Sequence, residues 1–302
     1  MDVNLVFEGG GVLGIYYAGA YKALKEYGYT VKRCAGTSAG AIVSSLIMAG
    51  YSPDELENII DETDFKPLVK KTKMCSMPLI GKPLSIIYNK GVYDSRIIED
   101  WVGGLLEKKG VSTFGDVMRD GRSDLKIIAA DITRSKMLVL PDDLAEYGIA
   151  PESFSIARAA SMSSSIPYFF TPVMLKDGER VNYIVNGGLL SGFPIWIFDE
   201  EGDPNITLGI KIKNPETNTS RGKRDILSYT KDMISAPINE DESNFIRNKD
   251  LVRTIIIDYE GQISSTDFAN INASKKAMVR SGYDSAARFL ENFKLESLSA
   301  SM

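Results

Sequence analysis

The sequence contains no histidine among its 302 residues. That absence excludes a Ser-His-Asp triad, a Cys-His nucleophile pair and any histidine metal site within the chain. A hydrolase built from it must take its base from a carboxylate, a lysine or a metal-bound water. Cysteine is nearly as scarce, with Cys34 and Cys75 alone. Two thiols make no disulfide framework, so a reducing cytoplasm is the expected setting. No apolar run reaches the ~18 residues of a membrane span. No basic region precedes the first apolar run, so no secretion signal is expected. Excess positive charge is lacking too, since the net charge is −5. Nothing in that balance draws in nucleic acid. The basic groups at 70–73 and 221–224 read as solvated loops. No repeat, low-complexity tract or clear linker interrupts the chain, which predicts one α/β domain over residues 1–302.

What is present is apolar patterning of two kinds. Residues 3–8, 31–35, 125–132, 206–212 and 252–258 are short β-rich runs, and "KMLVL" follows the third. Residues 12–27, 38–50, 94–108 and 269–294 carry helical spacing, and Ser52-Pro53-Asp54-Glu55 reads as a helix start. Strand, helix, strand, helix in that order predicts a largely parallel sheet covered by helices on both faces, a three-layer α/β/α fold. Residues 66–92 are irregular, rich in Pro and Met, and apolar. They fall within a predicted helical and irregular insertion over roughly 50–122, which reads either as a cover for a lipid pocket or as ordinary packing. Residues 153–170 begin as a helix and break at Pro167. Tyr168, Phe169 and Phe170 read either as core or as tunnel lining.

Two glycine-containing motifs carry chemistry. Gly9-Gly10-Gly11-Val12-Leu13-Gly14 lies between a strand and a helix, where backbone N–H groups meet an anion. Gly9, Gly11 and Gly14 also fit a dinucleotide fingerprint, although Glu26 comes too early for its acidic partner. Gly36-Thr37-Ser38-Ala39-Gly40 is G-x-S-x-G directly after a strand and before a helix. That context is a nucleophile elbow. A plain N-cap serine beside packing glycines is the other reading. Adjacent parallel strands would bring both motifs to one sheet edge, setting Ser38 against a bank of amides suited to acyl transfer.

These motifs, followed by Asn186-Gly187-Gly188, resemble the patatin-like phospholipases. That family has a glycine-rich oxyanion loop, a G-x-S-x-G serine, and an aspartate before two small residues. The Ser-rich "ARAASMSSSIPYFF" and the "GGLLSGFP" after the third motif resemble it too, and the likeness covers roughly residues 3–212. The resemblance implies a lipid acyl hydrolase with a Ser–Asp dyad, no metal and no cofactor. Ser38 would be the nucleophile and Gly9, Gly10, Gly11 and Gly14 the oxyanion loop, with Gly36, Gly40, Gly187 and Gly188 shaping the turns. It implies a phospholipid or other fatty-acyl ester as substrate and a transient encounter with a membrane surface. The departure is Asn186, which stands at the dyad position and cannot take up a proton. Three accounts fit: an aspartate replaced in an active enzyme, a natural pseudoenzyme that binds lipid or a partner, or another carboxylate such as Asp131, Asp177 or Asp199 serving as base.

Overall fold

A computed structural model describes residues 1–77, 80–213, 248–259 and 263–299. The basic group at 221–224 and the pair Pro78 and Leu79 lie outside these described residues. The strands are β1 (Asp2–Phe7), β2 (Thr30–Thr37), β3 (Gly91–Tyr93), β4 (Met118–Arg119), β5 (Arg122–Ser123) and β6 (Leu125–Asp131). They continue with β7 (Lys136–Leu140), β8 (Tyr168–Phe170), β9 (Val173–Asp177), β10 (Arg180–Asn186), β11 (Ile206–Ile212) and β12 (Thr254–Ile257). The main helices are α1 (Ile15–Glu26), α2 (Ala39–Met48), α3 (Pro53–Glu62), α4 (Gly81–Asn89), α5 (Arg96–Glu107) and α6 (Ile156–Ser164). A final helix spans Lys275–Ser299.

The fold is a three-layer α/β/α arrangement with a mostly parallel central sheet. The strand order is β12-β11-β1-β2-β6-β10-β9, and β7 pairs the remaining edge of β6. From β12 to β6 every pairing is parallel, whereas β10, β9 and β7 run antiparallel to their partners. Alternation along β1 explains the layers. Val3, Leu5 and Phe7 enter a large core with α1, α2, α5 and α6, while Val6 faces Phe193, Ile195, Ile197 and Phe198 on the opposite side. Gly28 adopts φ +83° just after α1 and turns the chain back into β2.

The helix start at Ser52 is a full capping box. Glu55 N–H donates to Ser52 Oγ, and Ser52 N–H donates to a Glu55 carboxylate oxygen. The segment 66–92 is more regular than its composition predicts, because it contains α4 and the strand β3. Residues 173–186 form a hairpin, of which the sequence shows only the final apolar residues. Its first strand alternates buried and exposed residues over just five positions, too few to stand out.

One feature of the sheet positions the site. The parallel pairing of β2 with β6 ends at Thr37 opposite Ile128. The antiparallel pairing of β10 with β6 ends at Asn186 opposite Ala129. Strand β7 pairs residues 127–131 of β6, so it occupies the other edge. Strands β2 and β10 therefore share one edge of β6 and point at each other, tip to tip.

Candidate active site

Ser38 sits on the turn out of β2, with φ 55° and ψ −120°. Such a backbone is strained for any residue with a Cβ and persists only where the surroundings impose it. Ser38 is the N-cap residue of α2, yet its side chain makes no capping bond. The N-cap reading therefore does not describe it. Its own N–H donates to Ser163 Oγ at 2.7 Å, and Ser163 Oγ donates in turn to the Ile128 carbonyl at 2.5 Å. The sharp turn needs close backbone contact on both flanks. A Cβ on Gly40 would lie 2.4 Å from the Phe7 carbonyl oxygen, and one on Gly36 would lie 2.3 Å from the Gly40 carbonyl carbon.

Asn186 ends β10 and faces this serine. Its Nδ2 donates to Ser38 Oγ at 3.0 Å, and its Oδ1 accepts from Gly188 N–H at 2.8 Å. Asn186 N–H donates to the Ser165 carbonyl. Both side chains are buried, at 6% exposure each. A Cβ at position 187 would stand 2.2 Å from the Ile128 carbonyl oxygen, so only glycine fits beneath the turn. The hydrogen bond to Gly188 sets the amide orientation. An N–H cannot face another N–H, so Oδ1 takes the Gly188 amide and Nδ2 is left for the hydroxyl.

The glycine loop lies against the same point. An ideal Cβ on Gly9 would be 3.5 Å from Ser38 Cβ. The loop's amides differ in what they meet. Gly9 N–H donates to the Gly192 carbonyl and Val12 N–H to the Ser265 carbonyl. Gly10 and Gly11 N–H have no hydrogen-bond partner among the described residues. Gly11 is held at φ 55°. Gly14 is a packing contact, where a Cβ would be 2.7 Å from Ala39 Cβ.

A narrow cavity of about 110 Å³ opens beside Ser38. Val12, Ile15 and Ala18 form one wall, and Ile42, Val43 and Leu46 of α2 another. Leu56, Ile59 and Ile60 of α3, with Phe65 and Leu68, close it on the side of the predicted insertion. Phe170 lines the cavity while 2% exposed, whereas Tyr168 is an exposed residue. The hydroxyl side chains in the wall are those of Ser38 and Ser164. Such a lining favours apolar matter over polar groups.

The other carboxylates singled out in the sequence are engaged elsewhere. Asp131 accepts from the Thr133 and Arg134 amides and from the Tyr147 hydroxyl, which makes it a turn cap. Asp177 pairs with Arg134 and Asp199 with Arg253. Among the described residues no group of three or more Cys, Asp or Glu is placed to hold a metal ion.

Two contributors escaped the sequence reading. Ser163 braces the elbow, and only its place in a Ser-rich helix hinted at it. The segment after Asn186 also ties the motifs together. The Ser191 carbonyl accepts from Thr37 Oγ1 and the Gly192 carbonyl from Gly9 N–H.

Residues 5–199 match the family model described as Patatin, patatin-like phospholipase. The chain belongs to this family. Uncharacterized protein YqhO of Bacillus subtilis (strain 168) is 46% identical over 202 residues, 67% of this chain and 68% of that protein. A protein of Invertebrate iridescent virus 6, named "Probable lipid hydrolase 463L", is 26% identical over 64% of this chain and 61% of its own length. The crystal structure of VipD from Legionella pneumophila superposes with a TM-score of 0.59 at 16% identity, covering 96% of this chain and 67% of VipD. In the ExoU–SpcU complex from the type III secretion system of Pseudomonas aeruginosa, the matching structure gives a TM-score of 0.51 at 18% identity. That match covers 96% of this chain and 51% of the other. At these identities the two structures speak for the fold.

Proposed function

We propose that the site is that of a lipid acyl hydrolase in which Ser38 is the nucleophile and position 186 the base. The observation that carries this reading is the 3.0 Å contact between Ser38 Oγ and the side chain of Asn186. With aspartate at 186, one carboxylate oxygen would keep the Gly188 N–H and the other would accept the Ser38 hydroxyl proton. The freed Oγ attacks the ester carbonyl carbon, and the carbonyl oxygen becomes an oxyanion. Gly10 and Gly11 N–H stabilise that charge. The C–O bond to the alcohol then breaks, and the carboxylic acid returns its proton to the leaving oxygen. A water attacks the acyl-serine by the same route and releases the fatty acid. The acyl chain of a phospholipid or related ester occupies the apolar cavity.

With asparagine at 186 the bond runs the other way, from Nδ2 to Oγ. The amide accepts no proton, so general-base help worth about 10²–10⁴-fold is lost. The same bond favours a second reading for the chain as it stands: a site that binds acyl lipid without turning it over, as a lipid- or partner-binding module would. A fluorophosphonate probe tests the nucleophile directly. Asn186→Asp is expected to gain a covalent adduct on Ser38, located by peptide mass, far faster than the asparagine form. Equal labelling rates would contradict a base at position 186.

A further inference from the structure

Helix α4 is inside out. Its buried residues include Gly81 and Ser85, while Ile87 and Tyr88 are each 66% exposed. Ile80, just before the helix, is 56% exposed, and Met77 is exposed as well. Ile80, Pro83 and Ile87 follow helical spacing and form one outward stripe. The orientation is fixed by polar contacts on the inner side. Ser85 Oγ donates to the Gly91 carbonyl at 2.6 Å and meets Thr72 Oγ1 at 2.7 Å. Asn89 Nδ2 donates to the same Ser85 oxygen. Turning Ile87 and Tyr88 inward would break this cluster and take the buried hydroxyls from their partners.

The charge around α4 is one-sided. Between Asp64 and Asp94 the sequence contains Lys66, Lys70, Lys71, Lys73, Lys82 and Lys90, and no acidic residue. Five of these lysines are exposed, and none forms an ion pair among the described residues. Lys70 acts at longer range on Asp94, whose carboxyl is lowered chiefly by its hydrogen bond to Arg96. The chain as a whole carries a net charge of −5, so this basic stretch runs against the overall balance.

The segment is anchored to the acyl cavity. Phe65 and Leu68, at its start, line that cavity. Strand β3, at its end, pairs with β8, where Tyr93 lies opposite the cavity residue Phe170. Outward apolar side chains in a lysine-rich stretch free of acidic residues match an anionic lipid surface, with alkyl chains for the isoleucines and phosphates for the ammonium groups.

We propose that α4 and its flanking lysines dock the protein on anionic lipid bilayers, through a segment that is tied at both ends to the wall of the acyl cavity. The inference rests on the lipid-hydrolase reading for its purpose, but its test does not need turnover. The full chain, with Asn186 retained, is sedimented with vesicles of phosphatidylcholine alone or mixed with phosphatidylglycerol. Binding is expected to the mixed vesicles and to weaken as salt rises. Lys70→Gln/Lys71→Gln/Lys73→Gln is expected to lose about 100-fold in affinity, at about fivefold for each lysine. Ile87→Asn/Tyr88→Asn is expected to lose about tenfold. An unchanged thermal midpoint shows that each variant folds. Equal binding to neutral vesicles, or variants that bind like the parent, would overturn the proposal. So would a parent dimer that Ile87→Asn/Tyr88→Asn converts to monomer without any vesicle binding, since the face would then join two copies. Hydrolysis of a soluble ester by Asn186→Asp is scored separately, so the two readings fail independently.

Discussion

Asn186 donates a hydrogen bond to Ser38 across 3.0 Å, from the tip of one strand to the turn after another. The contact exists because β2 and β10 approach each other along one edge of β6. Gly188 N–H holds the amide so that nitrogen, not oxygen, meets the hydroxyl. The two side chains are thus within hydrogen-bond reach, with the amide as donor and the hydroxyl oxygen as acceptor.

The elbow depends on close backbone packing. Gly40→Ala would place a methyl group 2.4 Å from the Phe7 carbonyl oxygen. We expect a loss of about 3 kcal/mol in stability, because neither backbone can retreat. Chemical denaturation measures it. An alanine variant as stable as the parent would show that the turn has slack.

Ser163 braces Ser38 and does not line the cavity. Ser163→Ala leaves the Ser38 N–H and the Ile128 carbonyl without their partner. Stability should fall by about 1–3 kcal/mol. Built into Asn186→Asp, the change should lower kcat more than it raises KM, since the nucleophile's aim is disturbed and the cavity is not. Ser163→Thr, which keeps the hydroxyl, should recover part of the loss. A pure KM effect would argue against a positioning role.

The cavity should measure chain length. Val43 lines it from α2. Val43→Phe, made in Asn186→Asp, should spare short-chain esters and lose about fourfold for each methylene that no longer fits. Competition between butyrate and longer p-nitrophenyl esters reads the effect. Loss that is uniform across chain lengths would place the acyl group elsewhere.

The α3 wall is tied down by Glu55, which accepts from Lys109 Nζ at 2.7 Å and from Ser52 N–H at 2.8 Å. The Lys109 hydrogen bond is the main cause that lowers the Glu55 carboxyl from 4.5 to about 2. A carboxyl lowered on folding contributes stability above its unfolded value, and that contribution fades as pH falls through the folded one. Glu55→Gln should therefore lower the melting temperature near neutrality. The gap to the parent should close as pH drops from about 4.5 towards about 2. A gap that stays constant over that range would mean the carboxylate contributes nothing through its charge.

The sequence carried much of this site. The glycine loop, the elbow at Ser38 and the turn at Asn186 are local motifs, each set by backbone demands that glycine reveals. The alternating strands and helices from β1 to α2 were likewise legible, because their periodicity runs over many residues. What lay outside was relational. Nothing local says that β10 arrives antiparallel at the spot where β2 stops. Ser163 looked like its serine neighbours, since its role depends on the Ile128 carbonyl of another strand. Helix α4 hid within Pro- and Met-rich sequence. Ile87 and Tyr88 face outward while Ser85 is buried, so the pattern of a helix packed on a core was not there to read.

The most direct measurement compares fatty acid release from phospholipid, and hydrolysis of a p-nitrophenyl ester, by Asn186→Asp, the parent chain and Asn186→Asp/Ser38→Ala. The account predicts activity in Asn186→Asp about 10²–10⁴-fold above the parent, abolished by Ser38→Ala. An Asn186→Asp protein as inert as its Ser38→Ala derivative would contradict it.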